Sequence, residues 1–202
     1  MRIRTILFVF LVQVSIFSSS AFIAHASESS ILKQIAAEKG LVQKAKLYNQ
    51  LSEELVNADP DKSLQYARKA IELAKKAEND IVLADAQLNL GTALYYVDEY
   101  SNGIKEVKAA LKIYEEKNLK EKQGIALSMI GEIYVYWSKY DEALQYLSKA
   151  RPILEASEKK ADLARCYNNL GIIHKNQMNQ EEALVFFKRA FSMGDDIRKG
   201  DA

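Results

Sequence analysis

The sequence predicts an all-α protein: a right-handed α-solenoid of antiparallel helix pairs, with four repeats and a short N-terminal helix. Three observations predict it. Apolar residues recur at intervals of three and four, the spacing of one helix face. Only 8 Gly and 2 Pro interrupt 202 residues. The chain also repeats itself every 40 residues, with Gly91, Gly131 and Gly171 in step with Ala70, Ala110, Ala150 and Ala190. Composition narrows the function. With 28 Lys plus Arg against 27 Asp plus Glu, no basic surface is available for a phosphate backbone, so no nucleic-acid partner is expected. One Cys and 2 His exclude an intramolecular disulfide framework, a multi-thiol zinc site and a histidine-rich metal centre.

Residues 1–26 read as a signal peptide: Arg2 and Arg4 open it, Ile6 to Phe17 form an apolar run, and Ala24-His25-Ala26 gives a small-x-small end. An N-terminal membrane anchor is the competing reading, because the apolar stretch to Ile23 nearly spans a bilayer. Either places the remainder outside the cytoplasm, periplasmic or extracellular. Residues 27–43 supply an N-terminal capping helix carrying Ile31, Leu32, Ile35 and Ala36 on one face, with Ser27 to Ser30 as its disordered lead. Repeats follow at 44–83, 84–123, 124–163 and 164–202. In the second, one helical run is Leu83, Gln87, Leu90, Gly91 and Leu94, and the other is Ile104, Val107, Ala110, Leu111 and Tyr114. Asp59-Pro60, Asp98-Glu99, Ser138-Lys139 and Asn179-Gln180 break the runs and offer N-caps, with Pro60 suited to the first helical position. Pro152 falls inside a helix and predicts a kink.

The glycine column lets the two helices of a unit approach closely, and Leu51 in that column marks the first repeat as atypical. A solenoid buries its core by stacking neighbours, so its ends need special treatment. The last helix carries Phe191 in the column of Ile71 and Leu111, a surface that the next unit would cover. The expectation is a C-terminal continuation or self-association through that helix.

These columns resemble the tetratricopeptide repeat family. Leu170-Gly171, Ala183, Phe187 and Ala190 follow its pattern, as do Ile130-Gly131, Tyr134, Ala143, Leu147 and Ala150. The period of 40 departs from the family's common 34 and looks like the sensory regions of bacterial signalling proteins. The resemblance implies a protein or peptide ligand held on a concave face lined by first helices. Residues outside the core columns and therefore expected on that groove are Tyr48, Asn49, Asn89, Thr92, Tyr95, Tyr96, Ser128, Glu132, Tyr136, Trp137, Asn168, Asn169 and Asn176. Asn49, Asn89 and Asn169 share a column; they can bond a peptide backbone or tie adjacent helices, with equal weight. The carboxylate clamp of co-chaperone repeats is not matched in either frame, since Leu88, Thr92, Met129, Arg165 and Asn169 stand where Lys, Asn, Asn, Lys and Arg are needed.

No catalytic constellation or cofactor site is expected. His174 lies in an aromatic column, and Cys166 shares one with Ala86 and Ala126, so both read as core residues. The sequence thus predicts an exported binding module, the extracytoplasmic sensory part of a signalling protein or a fragment of one. The alternative is a stand-alone periplasmic adaptor or scaffold in envelope assembly.

Overall fold

A computed structural model describes residues 27–200, which form helices joined by short links, with no strand among the described residues. The signal-peptide or anchor reading of 1–26 lies outside the described residues. Helix α1 covers 27–37, and α2 runs Leu41–Leu55. Thereafter come α3 (Pro60–Lys76), α4 (Asp80–Tyr96), α5 (Tyr100–Glu116), α6 (Lys120–Tyr136), α7 (Tyr140–Glu155), α8 (Lys160–Asn176) and α9 (Gln180–Gly200), and from α4 onward each begins twenty residues after the last. The period of forty is therefore two equal half-units. The hairpins open at Leu41, Asp80, Lys120 and Lys160, so repeat boundaries at 44, 84, 124 and 164 fall one turn inside each first helix. α7 continues through Pro152 to Glu155 and has 16 residues against 17 in its neighbours.

The half-period has a backbone cause. Glu78, Asp98, Asn118, Ser138 and Met178 all take positive φ, between 50° and 63°. Each ends a helix: the next amide bonds back five residues, as in Glu99 to Leu94, Leu119 to Tyr114 and Lys139 to Tyr134. Asp98 and Ser138 are thus C-terminal stops, not the N-caps expected of them. Asp98 accepts a bond from the Tyr100 hydroxyl at 2.6 Å instead, while Glu99 and Lys139 occupy N-cap positions without a side-chain capping bond. Asp59 does cap, accepting from the Lys62 amide at 3.0 Å with Pro60 at the first helical position. Asn79 caps α4 in the same way, through the Val82 amide. Such a cap contributes about 1 kcal/mol.

Sequential helices pack as antiparallel pairs, and the first helices α2, α4, α6 and α8 also touch one another in order. That second set of contacts makes them the inner layer. The main core runs from α4 to α9 around Tyr114, Ile130, Ile133, Leu147 and Leu154, all fully buried. The glycine column does what its spacing implies. A Cβ on Gly131 would lie 2.6 Å from Leu147 Cγ, and one on Gly91 would lie 2.8 Å from the Gly103 carbonyl. Only glycine permits that helix separation.

At the other end α1 closes the array with Ile31 and Ile35 against Leu47, Leu51 and Leu55. Ser27 to Ser30 belong to α1 and are not a disordered lead. Glu28 is buried and bonds Lys62 Nζ at 2.9 Å and the Tyr66 hydroxyl at 2.7 Å. Among the described residues, no helix is long and apolar enough to cross a membrane.

Candidate functional site

Along each inner helix one stripe at helical spacing is left uncovered by the second helices. The stripes are Lys46, Asn49 and Glu53 on α2; Asp85, Leu88, Asn89, Thr92 and Tyr96 on α4; Lys122, Ile125, Met129 and Glu132 on α6; and Asp162 and Arg165 on α8. Side by side they bound a groove of about 630 Å³. A groove of this size suits a short extended segment better than a flat protein surface.

Seven of the thirteen residues expected on the groove line it: Asn49, Asn89, Thr92, Tyr95, Tyr96, Ser128 and Glu132. The asparagine column divides between its two readings in favour of structure. Asn49 donates to the Val82 carbonyl at 3.4 Å, and Asn89 donates to the Asn49 carbonyl at 3.1 Å, so both amides tie α2 to α4. Asn169 is buried, with its amide toward Glu132. Thr92 bonds within its own helix, to Leu88.

The other expected residues lie elsewhere. Tyr48 stacks on Tyr66 at 5.8 Å, with Lys69 over both rings. Trp137 follows the last residue of α6 and sits among Tyr100, Tyr134 and Lys139, whose Nζ is 3.6 Å from the indole centroid. Asn168 and Asn176 are exposed, and Asn176 bonds the Ile172 carbonyl one turn back. Tyr136 is not part of the groove lining, but its ring packs on Tyr95, which is. Tyr95, expected to be accessible, is instead buried as the hub of a cluster: Tyr96 and Tyr136 meet it edge-on at 4.9 and 5.0 Å.

Apart from Glu132, the charged side chains of the groove were not singled out by the sequence, because single acidic and basic residues on a helix look alike whether they face a groove or bulk water. Asp85 holds Lys122 at 2.5 Å and accepts from the Tyr114 hydroxyl at 2.8 Å, bracing α4 against α5 and α6. Burial, with Asp85 beside it, raises the Tyr114 phenol above its usual range. Arg165 pairs with Asp162 and also faces Glu132. Burial pushes the Glu132 carboxyl up, and Arg165 opposes that rise. The two core expectations hold different ground: Cys166 is fully buried, its thiol pushed up to about 12 by burial. His174 is half-buried and stacks on Phe186 at 5.2 Å.

The chain belongs to the tetratricopeptide repeat family, whose model matches residues 82–156 and 124–195. It is an all-α repeat solenoid of the kind that serves as a protein–protein interaction module. Among solved structures it is similar to BtubC from P. vanneervenii, with 18% identity over 89% of this chain and 72% of that one, at a TM-score of 0.64. It is similar also to aspartyl phosphate phosphatase F from Bacillus subtilis, with 22% identity over 82% of this chain and 44% of the other, at a TM-score of 0.71. A Rap protein complexed with competence and sporulation factor aligns at 18% identity over 91% of this chain and 61% of that chain, at a TM-score of 0.65. At these identities the likeness is one of fold. This chain spans less than half of phosphatase F and half of RapI. No curated protein matches in sequence.

Proposed function

We propose that this chain is an exported module that binds a protein or peptide segment along the groove of its inner helices, as the extracytoplasmic sensory part of a bacterial signalling protein. The groove itself carries the reading: about 630 Å³ bounded by the four inner helices α2, α4, α6 and α8, with polar groups and tyrosine rings on its walls. A Rap protein of similar fold solved with competence and sporulation factor supports a bound partner. Basic Arg2 and Arg4, the apolar run and Ala24-His25-Ala26 support export. Self-association is part of the proposal for α9, where Leu184, Val185 and Phe191 are exposed.

Selection from a random peptide display library on the exported chain tests binding. Enriched peptides are expected to lose affinity for Thr92→Tyr, which fills the groove, and to keep it for Lys188→Ala on α9. Equal binding to both variants would place the site elsewhere. Sequencing the N-terminus of the secreted chain tests export, with Ser27 as the expected first residue.

A further inference from the structure

At the α6–α8 end of the groove, rings and charges converge in a way that the rest of the groove does not repeat. Tyr95 is buried, while Tyr96 and Tyr136, packed edge-on to it, are 42% and 55% exposed. Glu132 stands one helical turn before Tyr136 on the same face of α6, and its charge reaches both Tyr95 and Tyr96. Across on α8, one guanidinium, Arg165, serves two carboxylates, Asp162 through a direct ion pair and Glu132 at longer range. With both carboxylates ionised this cluster carries one uncompensated negative charge.

The nearby lysines do not cancel it. Lys122 is held by Asp85, and Lys159 lies 3.4 Å from Glu121. What remains is a carboxylate beside tyrosine rings whose faces are electron-rich, and ring faces attract cations as a carboxylate does.

Resting on the peptide-binding role proposed above, we infer that this corner takes a lysine or arginine side chain of the bound segment, its cationic head against Glu132 and its stem on Tyr96 and Tyr136. Long basic side chains suit such a place because an apolar stem and a charged head are recognised separately. Burial raises the Glu132 carboxyl from its ordinary value, and a bound cation acts against that rise in the same sense as Arg165.

The same displayed library distinguishes this inference from its premise. Peptides selected on the full chain, and lost from Thr92→Tyr, are expected to carry Lys or Arg at one fixed position. Replacing that residue by norleucine, or citrulline for Arg, should weaken binding by about tenfold, one charge-assisted contact being of that order. Glu132→Gln should weaken the parent peptide to a similar degree and leave the norleucine or citrulline analogue unchanged. Glu132→Lys should reselect peptides with Asp or Glu at that position, and circular dichroism of each variant checks folding. Groove-dependent peptides with no fixed basic position, or with undiminished affinity for Glu132→Gln, overturn the inference and leave peptide binding standing. A library that yields no groove-dependent peptide overturns both.

Discussion

In the three later hairpins a glycine of the first helix faces a larger residue of the second: Gly91 meets Val107, Gly131 meets Leu147 and Gly171 meets Phe187. In the first hairpin the same register sets Leu51 across from Ala67, and both are fully buried. Bulk has moved from the second helix to the first. Exchanges that keep the volume between two helices are what a close-packed core accepts. Leu51 is therefore a compensated position and not a defect of a worn first repeat. Leu51 also joins Ile31 and Ile35 of α1 in one buried cluster. The inversion lets one leucine fill its own hairpin and the cap as well.

The largest effect that tests this comparison is truncation of the bulky partner. Leu147→Ala faces Gly131, which has no side chain to fill the cavity, and Leu51→Ala empties a fully buried site that Leu51 shares with Ile31, Ile35, Leu47 and Leu55. Each is expected to cost about 3–5 kcal/mol, the upper part of the range for leucine truncation. Urea denaturation, read as the shift in midpoint at constant slope, checks it. A loss near 1 kcal/mol at Leu51 would mean that α1 does not pack on it in solution.

A smaller effect probes the glycine side. Gly131→Ala places a methyl 2.6 Å from Leu147 Cγ, and overpacking of this kind costs about 1–3 kcal/mol. Combined with Leu147→Ala, the added methyl fills part of the space that truncation opens. The double mutant should then be more stable than the sum of the single changes predicts. Simple additivity would show that the two residues do not share one space.

The helical period, the glycine and alanine columns and the cap were legible because each depends on a neighbour at a fixed sequence offset. The links were less legible. Asp98 and Ser138 suit an N-cap by residue type, yet the chain uses them one position earlier, in the left-handed turn that stops the preceding helix. Asn and Asp tolerate both roles, so residue type alone does not choose. The groove was half legible for a related reason. Tyr95 and Tyr136 are both one residue from another aromatic, and a shift of one residue turns a helical side chain by about 100°. Tyr95 thereby enters the core while Tyr96 faces outward. Asp85, Lys122 and Asp162 were not legible, and Arg165 only as a position in the clamp frame, because their partners lie on other hairpins or nearby on a face that looks merely solvated.

The first hairpin also differs from the others in how it is tied down, and pH can read that tie. Burial, then the hydrogen bond to Glu28, pushes the Tyr66 phenol up to about 12. The unfolded chain ionises at its ordinary value of 10.0. A folded-state value raised above the unfolded one contributes stability that is fully present below pH 10.0 and is lost as the pH climbs toward about 12. Wild type should therefore lose stability relative to Tyr66→Phe across that window, because phenylalanine cannot ionise. Thermal unfolding of the two proteins at several alkaline pH values makes the comparison. Parallel curves would show that the Tyr66 phenol is neither buried nor held by Glu28 in solution.

The smallest expected effect concerns the opposite end of the array. Ile31 on α1 is only 4% exposed, whereas Phe191 on α9 is 66% exposed. Ile31→Ser should cost about 1.5–3 kcal/mol, since it removes a buried aliphatic side chain and places a hydroxyl among apolar neighbours. Phe191→Ser should change stability by no more than about 0.5 kcal/mol at low protein concentration, the usual range for a surface position. The two ends can then be made to differ further by concentration. If a second copy covers Phe191, the wild type gains stability as its concentration rises while Phe191→Ser does not, because association stabilises only what it covers. Ile31→Ser should retain that concentration dependence, since its defect lies at the far end. Urea midpoints at two widely separated concentrations, with sedimentation of the same samples, separate these outcomes. A midpoint for wild type that is independent of concentration, in a sample that sediments as a monomer, would remove self-association through α9.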